Sequence, residues 1–387
     1  MMIRTQSGRI GLKASLVLLG LTGLFAVGLF ILFSRVRAPD GDLVLIALTP
    51  GQQLWHTGMV APDYPYPLWT PILMLPLALL PTTVATVLWL WINVVLLTGS
   101  ISLAITIFRW RPHPRVLGIA ALAALTWLPV ITALWLGQLI FVSLALLLGA
   151  VWAMQHRRWA LVGLLLGLTL IKPHTTILVT GALLLRMLWE RQWRGLAAFG
   201  LVVAALIAVC LPFSSDIRLI LGQNAIGDHL DEYMVVSSTI WGLLLSLLPG
   251  AWWLPLGVSA GLLGWLAWRG WQALHGGTDA DWMWLLAAAT IINLMVLPYS
   301  WMHNSALMLF PLAYGATLIW ERGRQRGWWF SAILGIYILS YVLFSNASQP
   351  LRQSLQIIPV MLVGLLLVAL RATRRTPAPA PPLMRPV

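Results

Sequence analysis

From residue 14 to residue 370 the chain is a succession of apolar stretches, most of them about as long as a lipid bilayer is thick, separated by polar joints. A helix needs about 20 apolar residues to cross the hydrocarbon layer. Stretches at or near that length fall at 14–33, 84–108, 116–135, 138–155, 159–172, 174–189, 196–213, 253–269, 282–298, 303–320, 328–345 and 354–370. With 60% hydrophobic and 9% charged residues, these stretches cannot all be hidden in the core of a water-soluble domain. The pattern predicts an all-α fold, a polytopic transmembrane bundle of about twelve spans forming one domain over 1–370. The tail 371–387, with "TPAPAPPLMRPV", lacks apolar periodicity and reads as a disordered cytoplasmic end. The first stretch has basic residues before it and no small-residue cleavage signature after it, so it reads as a retained anchor.

Charge sets the expected orientation. Arginine clusters in "RWRPHPR" (109–115), "HRR" (156–158), "RMLWERQWR" (186–194), "ERGRQR" (321–326) and "RATRR" (371–375) all fall on one side when the spans are threaded in order. The positive-inside rule makes that side cytoplasmic, which gives a multi-pass plasma-membrane protein with both termini in the cytoplasm. The threading requires that 238–253, "STIWGLLLSLLPGAWW", does not cross and instead forms a short helix that lies at the outer surface or dips in. Asp40, Asp42, Asp63, Asp216, Asp228, Asp231 and Glu232 then lie in two external loops, 34–66 and 214–237. On this reading the net charge of +13 is a topology signal and not a nucleic-acid surface. The single cysteine, Cys210, cannot form an intrachain disulfide. The sequence holds no P-loop or dinucleotide fingerprint, so no nucleotide cofactor is expected. The acidic "GDHLDEY" (227–233) with "DGD" (40–42) offers oxygen ligands for a divalent ion, but solvated external loops are commonly acidic, and no metal is expected.

One of only two lysines, Lys172, interrupts the apolar "GLLLGLTLIKPHTTILVTGALLL". Pro173 ends the helix there and His174 opens the next segment. A lysine at such a break either snorkels to the headgroups or lines a polar cavity. Other polar residues map to the same external depth: Gln138 in "LWLGQLIF", and Trp301, His303 and Asn304 in "LPYSWMHNSALMLFP". Asp42 opens the segment after the first span, and "APDYPYPLWTPILMLPLALLP" (61–81), with Tyr64 and Tyr66, reads as a piece re-entering the outer leaflet. Individually these have ordinary explanations: Gln138 as an interhelical hydrogen bond, His303 as a satisfied helix-end histidine, the aromatic residues as an interfacial belt. Together they set a carboxylate against a lysine and histidines. A carboxylate suits the deprotonation of a hydroxyl, and clustered cations suit the charge of a departing phosphate. Glycoside hydrolysis would instead ask for two carboxylates flanking one bond.

The segments "DLVLIA", "YPYPLWTPILMLPLALLP", "GQLIFVSLALLLGAVWAMQHRRWALVGLLLGLTLIKP" and "LPYSWMHNSALMLFPL", in this order, resemble the integral membrane glycosyltransferases of family 87. That family is a GT-C superfamily group that includes polyprenyl-phosphate-mannose-dependent mannosyltransferases. The resemblance implies a GT-C type bundle and inverting transfer of a hexose, mannose first among them, from a polyprenyl-phosphate donor to a glycolipid or glycan acceptor. It implies that Asp42 is the catalytic base, with Asp40 the alternative and Asp42 preferred for its proximity to "LVLIA". Lys172 and His303 would hold the donor phosphate; apart from the resemblance, Arg218 in the external loop is a secondary candidate for phosphate contact. Gln138, His174, Trp301, Asn304, Asp63, Tyr64 and Tyr66 would line the cavity, which faces the non-cytoplasmic side. The competing reading is a transporter or lipid flippase, which would place polar residues at mid-bilayer depth in pseudo-symmetric halves. No internal repeat is visible in the sequence.

Overall fold

The computed structural model describes residues 41–61, 64–222, 230, 232–321, 326–348 and 351–373, together with helical turns at 20, 23–25 and 27–28. The first apolar stretch, Asp40, Asp63 and the tail beyond 373 therefore lie largely or wholly outside the described residues. Every described element is helical. Among the described residues, four helices are long and apolar enough to cross a membrane: Thr82–Ile107, Asp279–Val296, Gly327–Asn346 and Leu351–Ala372. A fifth candidate is a pair, Pro114–Thr126 and Leu128–Trp135, bent by 53°.

The helices Ile140–Gln155, Trp159–Leu168, Ile177–Trp189 and Trp193–Ala208 are apolar but shorter than about 20 residues. They coincide with four of the stretches expected to span. The segment expected not to cross, 238–253, holds the eight-residue helix Ile240–Leu247. The stretch expected at 303–320 is divided into a 3₁₀ run, Met302–Met308, and the helix Leu309–Trp320.

One buried core joins most of these helices, through Phe141, Leu144, Leu147, Val162, Leu183, Leu286, Leu307 and Phe310. Small residues let backbones approach closely where helices pack in an apolar medium. Trp159–Leu168 and Trp193–Ala208 meet in this way: a β-carbon added at Gly163 would collide with the backbone carbonyl of Gly195. The bend in the split pair also has a local cause. Trp127 is extended at φ −65°, ψ 133°, and Pro129 follows it, so the helical hydrogen-bond ladder stops. The freed carbonyl of Thr126 accepts hydrogen bonds from the Tyr337 and Tyr341 hydroxyls.

The helices Trp159–Leu168, Ile177–Trp189 and Asp279–Val296 define the two ends of the bundle. At one end, Arg186 pairs with Glu190 at 2.7 Å and with Asp279 at 3.2 Å, and its guanidinium lies against the Trp159 and Trp282 rings. At the other end, Asn293 meets the chain just after Lys172. The candidate site belongs to that second end.

Candidate functional site

Proline decides the local structure on both sides of the site, because it removes an N–H and leaves a carbonyl in need of a donor. The first case is Leu43–Leu48, a π-helical turn, which runs into the helix Thr49–Thr57. Pro50 cannot donate back to Ile46, and the Tyr64 hydroxyl does so instead at 2.6 Å. Tyr64 is buried, so this expected cavity residue acts here as a pin for the turn that carries Asp42. The start of that turn is docked on the 136–138 connection, where the Leu43 N–H donates to the Leu136 carbonyl at 3.1 Å. Gly137 sits at φ +67°, and a β-carbon there would lie 2.7 Å from the Leu43 β-carbon. Glycine is thus required both for the turn and for the approach of the Asp42 segment.

The second case is Lys172, which stands between two short 3₁₀ turns, Thr169–Ile171 and Pro173–Thr175. Its side chain is 1% exposed. The ammonium donates to Gln138 Oε1 at 2.5 Å and to Asn304 Oδ1 at 2.8 Å, and Asn304 in turn donates to Ser300 Oγ at 3.0 Å. The other end of the Gln138 carboxamide donates to the Asp42 carboxylate. One carboxamide therefore bridges a carboxylate and an ammonium. Burial raises the Asp42 carboxyl above the usual carboxylate range, and the positive charge of Lys172 opposes that rise. A small open cleft adjoins the carboxylate, lined by Asp42, Ile46, Ala47, Tyr66, Gln138 and Leu139.

The remaining expected residues are distributed around this chain of contacts. His303 is buried, and its Nε2 has no hydrogen-bond partner among the described residues. It precedes Asn304 on the 3₁₀ run. His174 packs at a tilt against Tyr299 with ring centroids 5.8 Å apart, Tyr299 likewise against Tyr233 at 6.2 Å, and Tyr233 edge-on against Trp301 at 6.1 Å. These rings form a row beside the site. Arg218 is exposed on the short helix Ile217–Leu221, which docks through the Ile220 carbonyl onto the Leu68 N–H at 3.0 Å. Its guanidinium shares no hydrogen bond or ion pair with the Lys172 group among the described residues. Asp40 and Asp63 lie outside the described residues. No group of three metal-ligating side chains occurs among the described residues.

Three contributors escaped the sequence reading. Asn293 is fully buried in a long apolar helix and binds backbone next to Lys172. Trp69 and Thr70 donate to the Leu170 and Ile171 carbonyls at 2.9 and 3.2 Å. For Asn293 a signal was available, since a lone amide in an apolar span usually bonds to a neighbouring helix. For Trp69 and Thr70 none was.

What the set can do follows from its charges. It offers a partly buried carboxylate beside an open cleft, and a buried cation with one N–H beyond the two that are engaged. A proton acceptor and an anion-stabilising group are thus held apart by a neutral amide. No curated protein and no solved structure matches the chain. The sequence does match the profile of glycosyltransferase family 87 over residues 64–298, more than half of its 387 residues. The matched region contains Gln138, Lys172, His174 and Asn293, whereas Asp42 and the His303–Asn304 turn flank it on either side. On that match, the chain belongs to glycosyltransferase family 87.

Proposed function

We propose that this glycosyltransferase moves a hexose, mannose first among the candidates, from a polyprenyl-phosphate donor to a glycolipid or glycan acceptor. Transfer occurs with inversion at the external face of the plasma membrane, within a single domain of about twelve spans whose termini are cytoplasmic. The observation that carries this reading is the Gln138 carboxamide between Asp42 and Lys172. A direct ion pair would neutralise both groups. The intervening amide leaves one Asp42 oxygen to take the proton of an acceptor hydroxyl and leaves the ammonium one N–H for a phosphate oxygen.

In the reaction, Asp42 removes the acceptor hydroxyl proton as that oxygen bonds to the anomeric carbon. The bond between the anomeric carbon and the phosphate oxygen breaks, and the electron pair leaves with the polyprenyl phosphate. Lys172 stabilises that charge, and the Nε2 of buried His303, which has no partner among the described residues, supplies a second contact. A phosphate needs no proton to depart, which accounts for a site built around one carboxylate and not a pair. Asp42 is preferred over Asp40 as the base, and Arg218 is assigned a secondary part in drawing the donor in. The ring row from His174 to Trp301 forms a wall for the substrates, with Tyr66 beside the base. Membrane lipids surround the bundle, and nucleic acid has no role.

The test is transfer from radiolabelled polyprenyl-phosphate-mannose to lipid acceptors by the purified protein in liposomes. Loss of transfer in Asp42→Asn at undiminished expression supports the assignment of the base, and unimpaired transfer overturns it.

A further inference from the structure

The break at Lys172 leaves a run of backbone carbonyls without helical partners, in a setting where unsatisfied carbonyls cost several kcal/mol each. All of them from Thr169 to Thr176 are satisfied. Lys172 N–H takes Thr169, Thr175 N–H takes Lys172, Thr176 N–H takes Pro173, and Thr180 N–H takes Thr176, at 2.8 to 3.2 Å. The other four are claimed from outside. Trp69 and Thr70 hold Leu170 and Ile171 on one side of the lysine. On the other side, the single Nδ2 of Asn293 donates to both the His174 and the Thr175 carbonyls at 2.9 Å. Its Oδ1 accepts from the Leu178 N–H at 3.1 Å, at the start of the next helix.

Asn293 thus meets three backbone groups with one side chain, and it does so from inside a straight span, Asp279–Val296, fixed at its far end by the Arg186–Asp279 pair. Lys172 has an extended backbone, φ −142° and ψ 70°, as suits the residue before Pro173; the chain on the far side of that proline is held by Asn293. We infer that Asn293 is the positioning residue of this enzyme: by clamping the His174–Leu178 backbone it fixes the direction of the Lys172 ammonium, and so the affinity for the phosphate of the lipid donor. The inference rests on the role assigned to Lys172 above. It concerns a residue that touches neither substrate, and it makes donor binding depend on the rigidity of a neighbouring span.

The test uses full-length protein in liposomes, with Asn293→Leu, which matches the size and removes all three bonds, and Asn293→Asp. Asn293→Leu should raise KM for the polyprenyl-phosphate donor by roughly 10- to 100-fold, the scale expected when a binding group moves by about 1 Å. KM for the acceptor should stay unchanged. In Asn293→Asp a carboxylate faces two carbonyls, and only its protonated form can donate, so activity relative to wild type at the same pH should recover as pH falls. A readout independent of turnover is labelling of Lys172→Cys, in a Cys210→Ala background, by a membrane-impermeant maleimide. With position 172 only 1% exposed, labelling should be slow when Asn293 is present and faster in the Asn293→Leu background.

Equal labelling rates together with an unchanged donor KM overturn the inference about Asn293. Full activity of Lys172→Met overturns the donor-clamp reading itself, whatever Asn293 does. If Asn293→Leu fails to fold, the pH-dependent recovery of Asn293→Asp decides, and a flat ratio to wild type counts against the clamp.

Discussion

Asp42 and Lys172 carry opposite charges yet do not pair directly; each is bonded to a different end of the Gln138 carboxamide. This spacing separates the two halves of the proposed reaction, and it makes Gln138 the residue through which a change on one side reaches the other. Gln138→Leu should therefore lower transfer by about 10²-fold or more while altering both the donor and acceptor constants, as expected for a group bonded to the base and the clamp alike. Steady-state kinetics with both substrates varied would check this, and an effect confined to one substrate would count against the bridge.

The pH dependence follows from Asp42. Burial raises its carboxyl above its ordinary value, and in the proposed reaction Asp42 can accept a proton only when ionised. The rate should fall as pH drops through this raised value, above the range of an ordinary carboxylate. Lys172 opposes the rise, so without its charge the Asp42 carboxyl would titrate at still higher pH. Stability has the opposite sign. The folded protein binds this proton more tightly than the unfolded chain, so the contribution is complete below the unfolded value and is lost as pH climbs through the folded one. Thermal melts across the acid range in a fixed detergent would show it.

Lys172→Met should abolish transfer with only a small loss of stability, within about 2 kcal/mol, because it removes a buried charge while depriving two amide oxygens of a donor. A melting temperature near that of the wild type with no transfer is the expected result. Collapse of the fold would instead make Lys172 a structural residue.

Gly137→Ala should cost about 1–3 kcal/mol, because position 137 has a positive φ and no room beside Leu43. The strain falls on the contact that docks the Asp42 turn, so catalysis should decline more than stability. Measuring both on the same preparation separates the two.

Arg186→Met gives the reverse pattern. Its guanidinium is buried and paired at the end of the bundle remote from Lys172, although Asp279 is 70% exposed and Glu190 26% exposed. Solvent screening of those partners limits the expected loss to roughly 1–3 kcal/mol. The KM values of the surviving folded fraction should be unchanged.

Helical class was legible because long apolar runs leave few alternatives in lipid. The grouping of Gln138, Lys172 and Asn304 was legible for a related reason: polar side chains in apolar sequence must find one another. Their hydrogen bonds were not, and neither was the π-turn at Leu43–Leu48, which depends on a tyrosine 18 positions from the carbonyl it satisfies. Tyr64 looked like a cavity residue from its neighbours, and its burial makes it a support. Asn293 was passed over because its span scans as uniformly apolar, and its value lies in backbone groups 118 and 119 positions away. The bend at Trp127 likewise depends on tyrosines from a much later helix.

The wide separation of the partners of Lys172 has a consequence for biogenesis. During synthesis the lysine follows Gln138 by 34 positions but precedes Asn304 by 132. The nascent chain must therefore hold a half-satisfied ammonium while the apolar stretches 174–189, 196–213, 253–269 and 282–298 are made, and the site closes only once the turn at Met302–Met308 has arrived. A chain stalled before that point lacks Asn304 and leaves the ammonium with only one of its two amide acceptors.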